Sequence, residues 1–179
     1  TNEISKVPEK NTASIPLIKM LRDLNCDHGL SIKIEKGIPL CSGLGGSAAS
    51  AVAAVTAANE LLDFPFSIDE LYRYALLGES FASGGEHGDN IAPSLYGGVA
   101  ICLKNKVIPL PAPDDLGLLV MHPKIEVPTK DSRGVLSDDL SLEDHISQTQ
   151  ALAGTISALY MRDSDLLIES LKDVFILPQ

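Results

Sequence analysis

Three segments hold the residues whose types and spacing could do chemistry. In the first, Gly43-Leu44-Gly45-Gly46-Ser47-Ala48-Ala49, glycines permit a tight turn that aims several amides one way. A helix beginning there leaves unpaired N–H groups and a partial positive charge at its first turn, and such a place binds anions. No charged side chain lies between Gly37 and Asn59, so no carboxylate in that stretch would repel a phosphate. The P-loop pattern fails because no Lys follows the glycines and Ser47 follows Gly46 directly. A dinucleotide-binding pattern matches literally at Gly43, Gly45 and Ala48, but the acidic residue expected at the end of a second strand is missing, since Glu60 still lies on the helix. The plainer alternative is a glycine-rich helix start with Ser47 as an ordinary N-cap.

The second segment, residues 78–98, reads GESFASGGEHGDNIAPSLYGG and gathers Glu79, Glu86, His87, Asp89 and Asn90 around a glycine-rich loop. Glu79 could hold a Mg2+ ion that bridges nucleotide phosphates, with the protein supplying few ligands and phosphate the rest. The plainer reading of Glu79 is a solvated charge on a helix face. Asp89 and Asn90 read equally as turn and cap residues and His87 as a satisfied loop histidine; His87 and Asp89 stand too close in sequence to claim a metal pair. The third segment, IEVPTKDSRGVL, puts Thr129 and Arg133 on one face if a helix begins near Thr129. Arg offers a fork suited to a carboxylate, although an exposed helical Arg beside Asp131 or Asp138 fits the spacing as well.

Periodicity shows the elements that must position these groups. Ile15, Ile18, Leu21 and Leu24 recur at helical spacing within residues 11–26, with Pro16 tolerable in the first turn. LSIKIEK alternates, Leu30, Ile32 and Ile34 against Ser31, Lys33 and Glu35, as a half-buried strand does. SAASAVAAVTAANELL predicts a helix over 47–62 whose small side chains let a neighbouring backbone come close. Ser67 and Glu70 form a capping box before a helix that turns Leu71, Tyr74, Ala75 and Leu77 or Gly78 inward and ends at Gly84-Gly85. GGVAICL, KNK and VIPL read as a hairpin, LPAPDD as a break and GLLVMHP as a buried strand. A cap of Ser141 and Asp144 opens a helix to about Arg162, and one more helix ends near Asp173.

The chain has 179 residues, 14 Lys and Arg against 24 Asp and Glu, a net charge of -10, no Trp and only 4% aromatic residues. An acid excess without stacking platforms argues against nucleic acid as a partner. Hydrophobic residues, at 45%, are enough for a core built mainly from small aliphatic side chains. Cys26, Cys41 and Cys102 lie far apart with no C-x-x-C pair, as expected of reduced thiols in a cytoplasmic protein. The N-terminal stretch has no apolar signal region, and the longest uncharged stretch is too short and too alanine-rich to span a membrane, so no membrane partner is expected. The irregular succession of strands and helices favours a mixed α/β or α+β domain.

Taken together, the three segments resemble the homoserine kinases, within the galactokinase, homoserine, mevalonate and phosphomevalonate kinase superfamily. GIPLCSGLGGSAAS is similar to the superfamily's P-x-x-x-G-L-G-S-S-A phosphate motif. GGEHGDNIAPSLYGG resembles the homoserine kinase loop H-x-D-N-x-A-P-x-x-x-G-G, where mevalonate-type kinases usually carry S-G-x-D. The likeness continues through IEVPTKDSR and SQTQALAGTISALY to KDVFILP. It implies ATP and Mg2+ as cofactors and phosphorylation of the L-homoserine hydroxyl to O-phospho-L-homoserine, in threonine biosynthesis. By the same resemblance Pro39, Leu40, Cys41, Ser42, Gly43, Leu44, Gly45, Gly46, Ser47, Ala48 and Ala49 would wrap the ATP phosphates, with Ser47 and Glu79 joining Mg2+. Asn11 would lie near the adenine and Thr129 near the phosphates. Asn90 and Arg133 would hold the amino acid, Arg133 gripping its carboxylate, while His87 and Asp89 shape the same loop. Glu79, Asn90 and Arg133 would carry the catalytic burden, by positioning and charge neutralisation more than by proton abstraction.

The implied fold is α+β. An ATP-binding domain over residues 1–112 would resemble the second domain of ribosomal protein S5, lacking its first strands, and residues 113–179 would begin an incomplete ferredoxin-like domain. Relatives are commonly homodimers. Three departures accompany the resemblance. Gly46 replaces the first Ser of the usual pair, which removes a hydroxyl contact and keeps the backbone turn. Gly88 stands where Pro or Ala is frequent, which is expected mainly to loosen the loop. Family members run to about three hundred residues, in line with two domains, and the motifs P-x-S-x-N-L-G-x-G-F-D and S-G-S-G-P are missing here, so a fragment cut at both ends is expected, its own turnover left open. The alternatives are another small-molecule kinase of the superfamily, a non-catalytic nucleotide-binding fragment and, more distantly, a dinucleotide oxidoreductase.

Overall fold

The computed structural model describes residues 4–39, 42–83, 85, 87–104, 106–113, 116–121 and 139–174, the side chains of 82 and 83 aside. The chain divides into two units, Thr1–Pro109 and Leu110–Gln179. A 3-10 turn (Pro8–Lys10) leads into four helices, α1 (Ser14–Asp23), α2 (Gly46–Leu61), α3 (Ile68–Ser83) and α4 (Ile91–Tyr96). A two-stranded sheet follows, β1 (Val99–Leu103) paired with β2 (Lys106–Leu110). The second unit holds α5 (Leu142–Met161) and α6 (Ser164–Ser170). Helices beside a separate small sheet make the chain α+β.

In the first unit the alanines predicted to favour close packing do so. Ala48, Ala51 and Val55 of α2 are fully buried and share one core with Leu17 and Met20 of α1, Leu71 and Ala75 of α3 and Ile91 of α4. Alanine holds these helical positions without losing rotamer freedom, and its small side chain brings the neighbouring helices near. The approach is tightest at Gly78 of α3, where a Cβ would fall 2.3 Å from the Thr12 carbonyl oxygen and 3.1 Å from the Ala51 Cβ. A side chain at 78 would push α3 outward, so this glycine is what lets the next residue, Glu79, meet α2. The predicted capping box forms: the Ser67 N–H donates to Glu70 Oε2 across 2.8 Å and the Glu70 N–H to Ser67 Oγ across 3.4 Å. Tyr74 of α3 ties α1 by donating to Asp23 Oδ2 at 2.7 Å.

In the second unit the Ser141 hydroxyl accepts from the Asp144 N–H at 3.0 Å, and the Asp163 carboxylate accepts from the Leu166 N–H at 2.9 Å, so both helices begin at side-chain caps. Ala158, Leu159 and Leu167 form its small core. The last helix ends at Ser170, one turn short of the expected Asp173.

Two expected strands do not form. Residues 26–37 carry no ladder, and the parity of the alternation holds only from Ile34 onward: Ile34, Lys36 and Ile38 are half-buried while Lys33, Glu35 and Gly37 are exposed, but Ile32 is exposed too. Alternation records which side chains face a neighbour, whereas a strand also needs a partner's backbone, and none among the described residues supplies one. The expected buried strand GLLVMHP is corrected over its described residues, 117–121, while His122 and Pro123 lie outside the described residues. Residues 116–121 have no regular structure and lie open, with Leu118 86%, Leu119 89% and Met121 84% exposed. An apolar run marks burial only where a second layer covers it, and no described element does so here.

Candidate functional site

The glycine turn starts α2. Gly43 and Gly45 take left-handed conformations, with φ of 72° and 64°, and Gly45 is the N-cap. L-residues with a Cβ avoid that region, so these two glycines set the direction in which the first helical amides point. The Ala49 N–H bonds back to the Gly45 carbonyl at 2.9 Å; the amides before it have no partner within the helix, and no acidic residue occupies the first turn. Ser47 is therefore inside the helix and is not its cap. Its hydroxyl donates instead to Glu79 Oε2 at 2.6 Å, and Glu79 is only 8% exposed. The plainer readings of both residues fail on this contact: Ser47 does not cap, and Glu79 is not a solvated charge.

The loop at 87–90 comes against the same turn. Asn90 occupies the N-cap position of α4, yet its side chain makes no cap hydrogen bond. It packs on Gly45, where a Cβ would lie 2.9 Å from Asn90 Oδ1 and 3.2 Å from Asn90 Cβ. Two segments separated by more than forty residues thus share one surface, the first through its backbone and the second through a carboxamide. Asp89 is exposed and His87 half-buried. The Cys102 thiol of β1 donates to the Gly88 carbonyl at 3.3 Å, and burial, followed by the charge of Asp89, pushes its pKa up.

Gly88 was expected to loosen the loop, and the structure corrects that expectation. A Cβ at 88 would fall 2.0 Å from the Tyr72 hydroxyl oxygen, so the glycine fits the loop beneath a phenol. Gly46 differs: a Cβ there would meet Ile38 Cγ2 at 3.4 Å and Lys36 Nζ at 3.5 Å, ordinary contacts that a small side chain could make.

Lys36 is the functional candidate that motif reading missed. Its ammonium donates to the Gly46 carbonyl and, at 2.7 Å, to Ser50 Oγ, which brings a cation to the start of α2; burial lowers its pKa. The signal was its parity, since Lys36 falls on the same face of the alternating segment as Leu30, Ile32 and Ile34. Beside it lies a cavity of about 450 Å³ walled by residues 32–38, Ala13 and the alanine face of α2 from Ala49 to Ala57. Asn11 is buried, its Nδ2 donating to the Ser5 carbonyl at 2.7 Å and its Oδ1 accepting from the Ala13 N–H at 2.9 Å. The carboxamide thus closes the turn that opens α1. Leu40, Cys41, Thr129 and Arg133 lie outside the described residues, whereas Pro39 and Ser42 flank the turn and are described.

Helix-start amides exposed by a glycine turn can receive an anion such as phosphate, and here a buried carboxylate and a small polar loop stand beside them. Residues 11–98, which contain all of these groups, match the family profile of the GHMP kinases N terminal domain. This stretch of the chain belongs to the GHMP kinase family, as its N-terminal domain. Among curated members of this kinase family, a homoserine kinase of Xylella fastidiosa (strain M12) is 44% identical over 171 residues, 96% of this chain and 53% of that protein. One from Methanococcus maripaludis is 38% identical over 92% of this chain and 55% of its own length. The crystal structure of homoserine kinase from Cytophaga hutchinsonii superposes with a TM-score of 0.91 at 36% identity, covering 99% of this chain and 57% of that one. The chain spans about half the length of the curated relatives it matches. None of its described helices is long and apolar enough to cross a membrane.

Proposed function

We propose that the full-length gene product is a homoserine kinase, transferring the γ-phosphoryl group of ATP to the hydroxyl of L-homoserine to give O-phospho-L-homoserine and ADP. The observation that carries this reading is the Ser47–Glu79 contact of 2.6 Å at the start of α2, with Asn90 packed on the same turn. The helix-start amides of 46–48 would receive the phosphates, and Lys36 would add a positive charge at the edge of that cradle. The nucleoside would run along the cavity beside α2, toward the α1 start that Asn11 holds. Residues 1–112 would be the ATP-binding domain and 113–179 the start of the second.

Mg2+ fits the residues present. The Ser47 hydroxyl and the Glu79 carboxylate are adjacent hard oxygen donors, and a buried carboxylate next to a phosphate site is two anions in one place unless a cation lies between them. When bound, the metal would neutralise charge on the transferring phosphoryl group. The protein's own contribution is to orient: α2 points its amides at the phosphates, Asn90 holds the amino acid acceptor at the same turn, and the resemblance gives Arg133 the substrate carboxylate and Thr129 a place near the phosphates. His87 and Asp89 would shape the acceptor side. With no general base assigned, the rate would come from proximity and electrostatic complementarity. We further propose a cytoplasmic location and a homodimer, as the resemblance implies, with neither nucleic acid nor membrane as a partner.

The test is direct. Purified full-length protein with ATP, Mg2+ and L-homoserine should yield O-phosphohomoserine and ADP in equal amounts; a preparation that phosphorylates mevalonate or galactose and ignores homoserine overturns the substrate assignment. Titration of ATP·Mg2+ into the 179-residue chain alone reports whether these residues bind nucleotide without completing the reaction.

A further inference from the structure

The loop that carries Asn90 needs something to hold it, and the structure supplies that in Tyr72. Gly88 does not adopt a positive φ, so backbone freedom is not why residue 88 is glycine. Space is the reason: a Cβ there would lie 2.0 Å from Tyr72 Oη and 3.1 Å from Tyr72 Cζ. The phenol is itself constrained. Its ring meets the Tyr96 ring edge-on, with centroids 6.4 Å apart and planes at 61°, and the Tyr96 hydroxyl is fixed by donating to Asp69 Oδ1 at 2.5 Å. On β1 the Cys102 thiol holds the Gly88 carbonyl at 3.3 Å. Gly88 is thus located between α3 and β1, and Asn90, two residues on, meets Gly45.

We propose that Tyr72 is a positioning residue for the proposed acceptor loop. Tyr72 and Gly88 are a size-matched pair in which the phenol fills the volume that a side chain at 88 would take, and so sets Asn90 against the glycine turn. The role assigned to Asn90 rests on the homoserine kinase reading; the pairing itself does not. The pair also accounts for a glycine where relatives often carry Pro or Ala: such a residue fits once the hydroxyl is gone, because the remaining ring carbon at 3.1 Å has only a few tenths of an ångström to yield.

The test uses Gly88→Ala, Tyr72→Phe and the double variant, with two readouts. In the 179-residue chain, the rate of Cys102 alkylation by iodoacetamide, followed by peptide mass spectrometry, reports the loop without any substrate. Displacing Gly88 frees the thiol, so Gly88→Ala should raise that rate about tenfold, Tyr72→Phe should raise it less, and the double variant should return close to the parent. Recovery of a soluble, folded double variant where Gly88→Ala alone fails to fold supports the pair equally. Effects that add in the double variant overturn it. In the full-length protein, Gly88→Ala should raise the KM for homoserine about tenfold while moving the KM for ATP far less, and Tyr72→Phe should restore it. Alkylation rescue without any change in homoserine KM overturns the positioning role. A parent protein that turns over another acceptor and ignores homoserine overturns the substrate reading alone, and the alkylation series still judges the pair.

Discussion

The glycine turn and the 87–90 loop touch at Gly45 and Asn90, yet they are held by different means. The turn is fixed mainly by its own backbone, two left-handed glycines and a helix that follows at once, with one part-buried hydroxyl–carboxylate contact to α3. The loop is fixed from outside, by a tyrosine on α3 and a thiol on β1. Residue types within the turn therefore reveal its job, whereas the loop's support is visible only in three dimensions. The turn should accordingly fail through local chemistry, and the loop through changes made elsewhere in the chain.

The largest expected effect is at the buried carboxylate. Glu79→Gln keeps the shape and the contact with Ser47 but removes the charge that would hold Mg2+, so turnover of the full-length protein should fall by on the order of 100-fold or more with an unchanged thermal midpoint. Unchanged kinetics would refute the role. Next comes Gly45→Ala, which forces a Cβ into a left-handed residue and to within 2.9 Å of Asn90 Oδ1. Backbone strain and overpacking together should cost about 2–4 kcal/mol of stability in chemical denaturation. A loss below about 0.5 kcal/mol would mean that the turn is not fixed by its backbone. A smaller and separable effect belongs to Lys36→Met. The alkyl stem stays and the cation goes, so ATP·Mg2+ affinity should weaken about tenfold with little change in stability. Equal affinity would remove Lys36 from the site.

The same contrast explains what could be read from the sequence. Ser67 and Glu70 announce a helix start because a capping box is a local bargain between residues three apart, and the alanine run of α2 announces close packing because small side chains such as the buried Ala48 and Ala51 let neighbouring helices approach. Glu79 and Ser47 were legible as candidates through motif resemblance, but their contact depends on Gly78 admitting the Thr12 carbonyl, which no local pattern encodes. Gly88 was misread as slack for the same reason, since its partner Tyr72 lies a helix away. The strand expected over 30–36 and the described part, 117–121, of the one expected at GLLVMHP do not form, because apolar pattern reports a wish for burial, and a ladder or a covering layer must come from other residues.

The smallest effect, and the one that separates the loop's scaffold from the turn, is alkaline pH. Burial first, then the hydrogen bond to Asp69, raises the Tyr96 phenol from 10.0 to about 12. A folded pKa above the unfolded value means a stabilising contribution fully present below pH 10 that is lost as pH rises through about 12. Tyr74, held by burial and by Asp23, behaves the same way between α1 and α3. Lys36 runs in the opposite sense: burial lowers its pKa, so the cost of its charge is relieved as pH climbs toward 10.5 and its contribution to stability grows over that interval. Chemical denaturation at fixed pH values from 9 to 12 should therefore show stability falling above pH 10 in the parent and falling less in Tyr96→Phe. Cys102 alkylation cannot follow this series, because the thiol itself ionises there, so tyrosinate absorbance near 295 nm is the companion signal. A Tyr96→Phe variant whose alkaline decline matches the parent would show that the phenol is not part of the loop's support, and that Tyr72 stands at Gly88 without it.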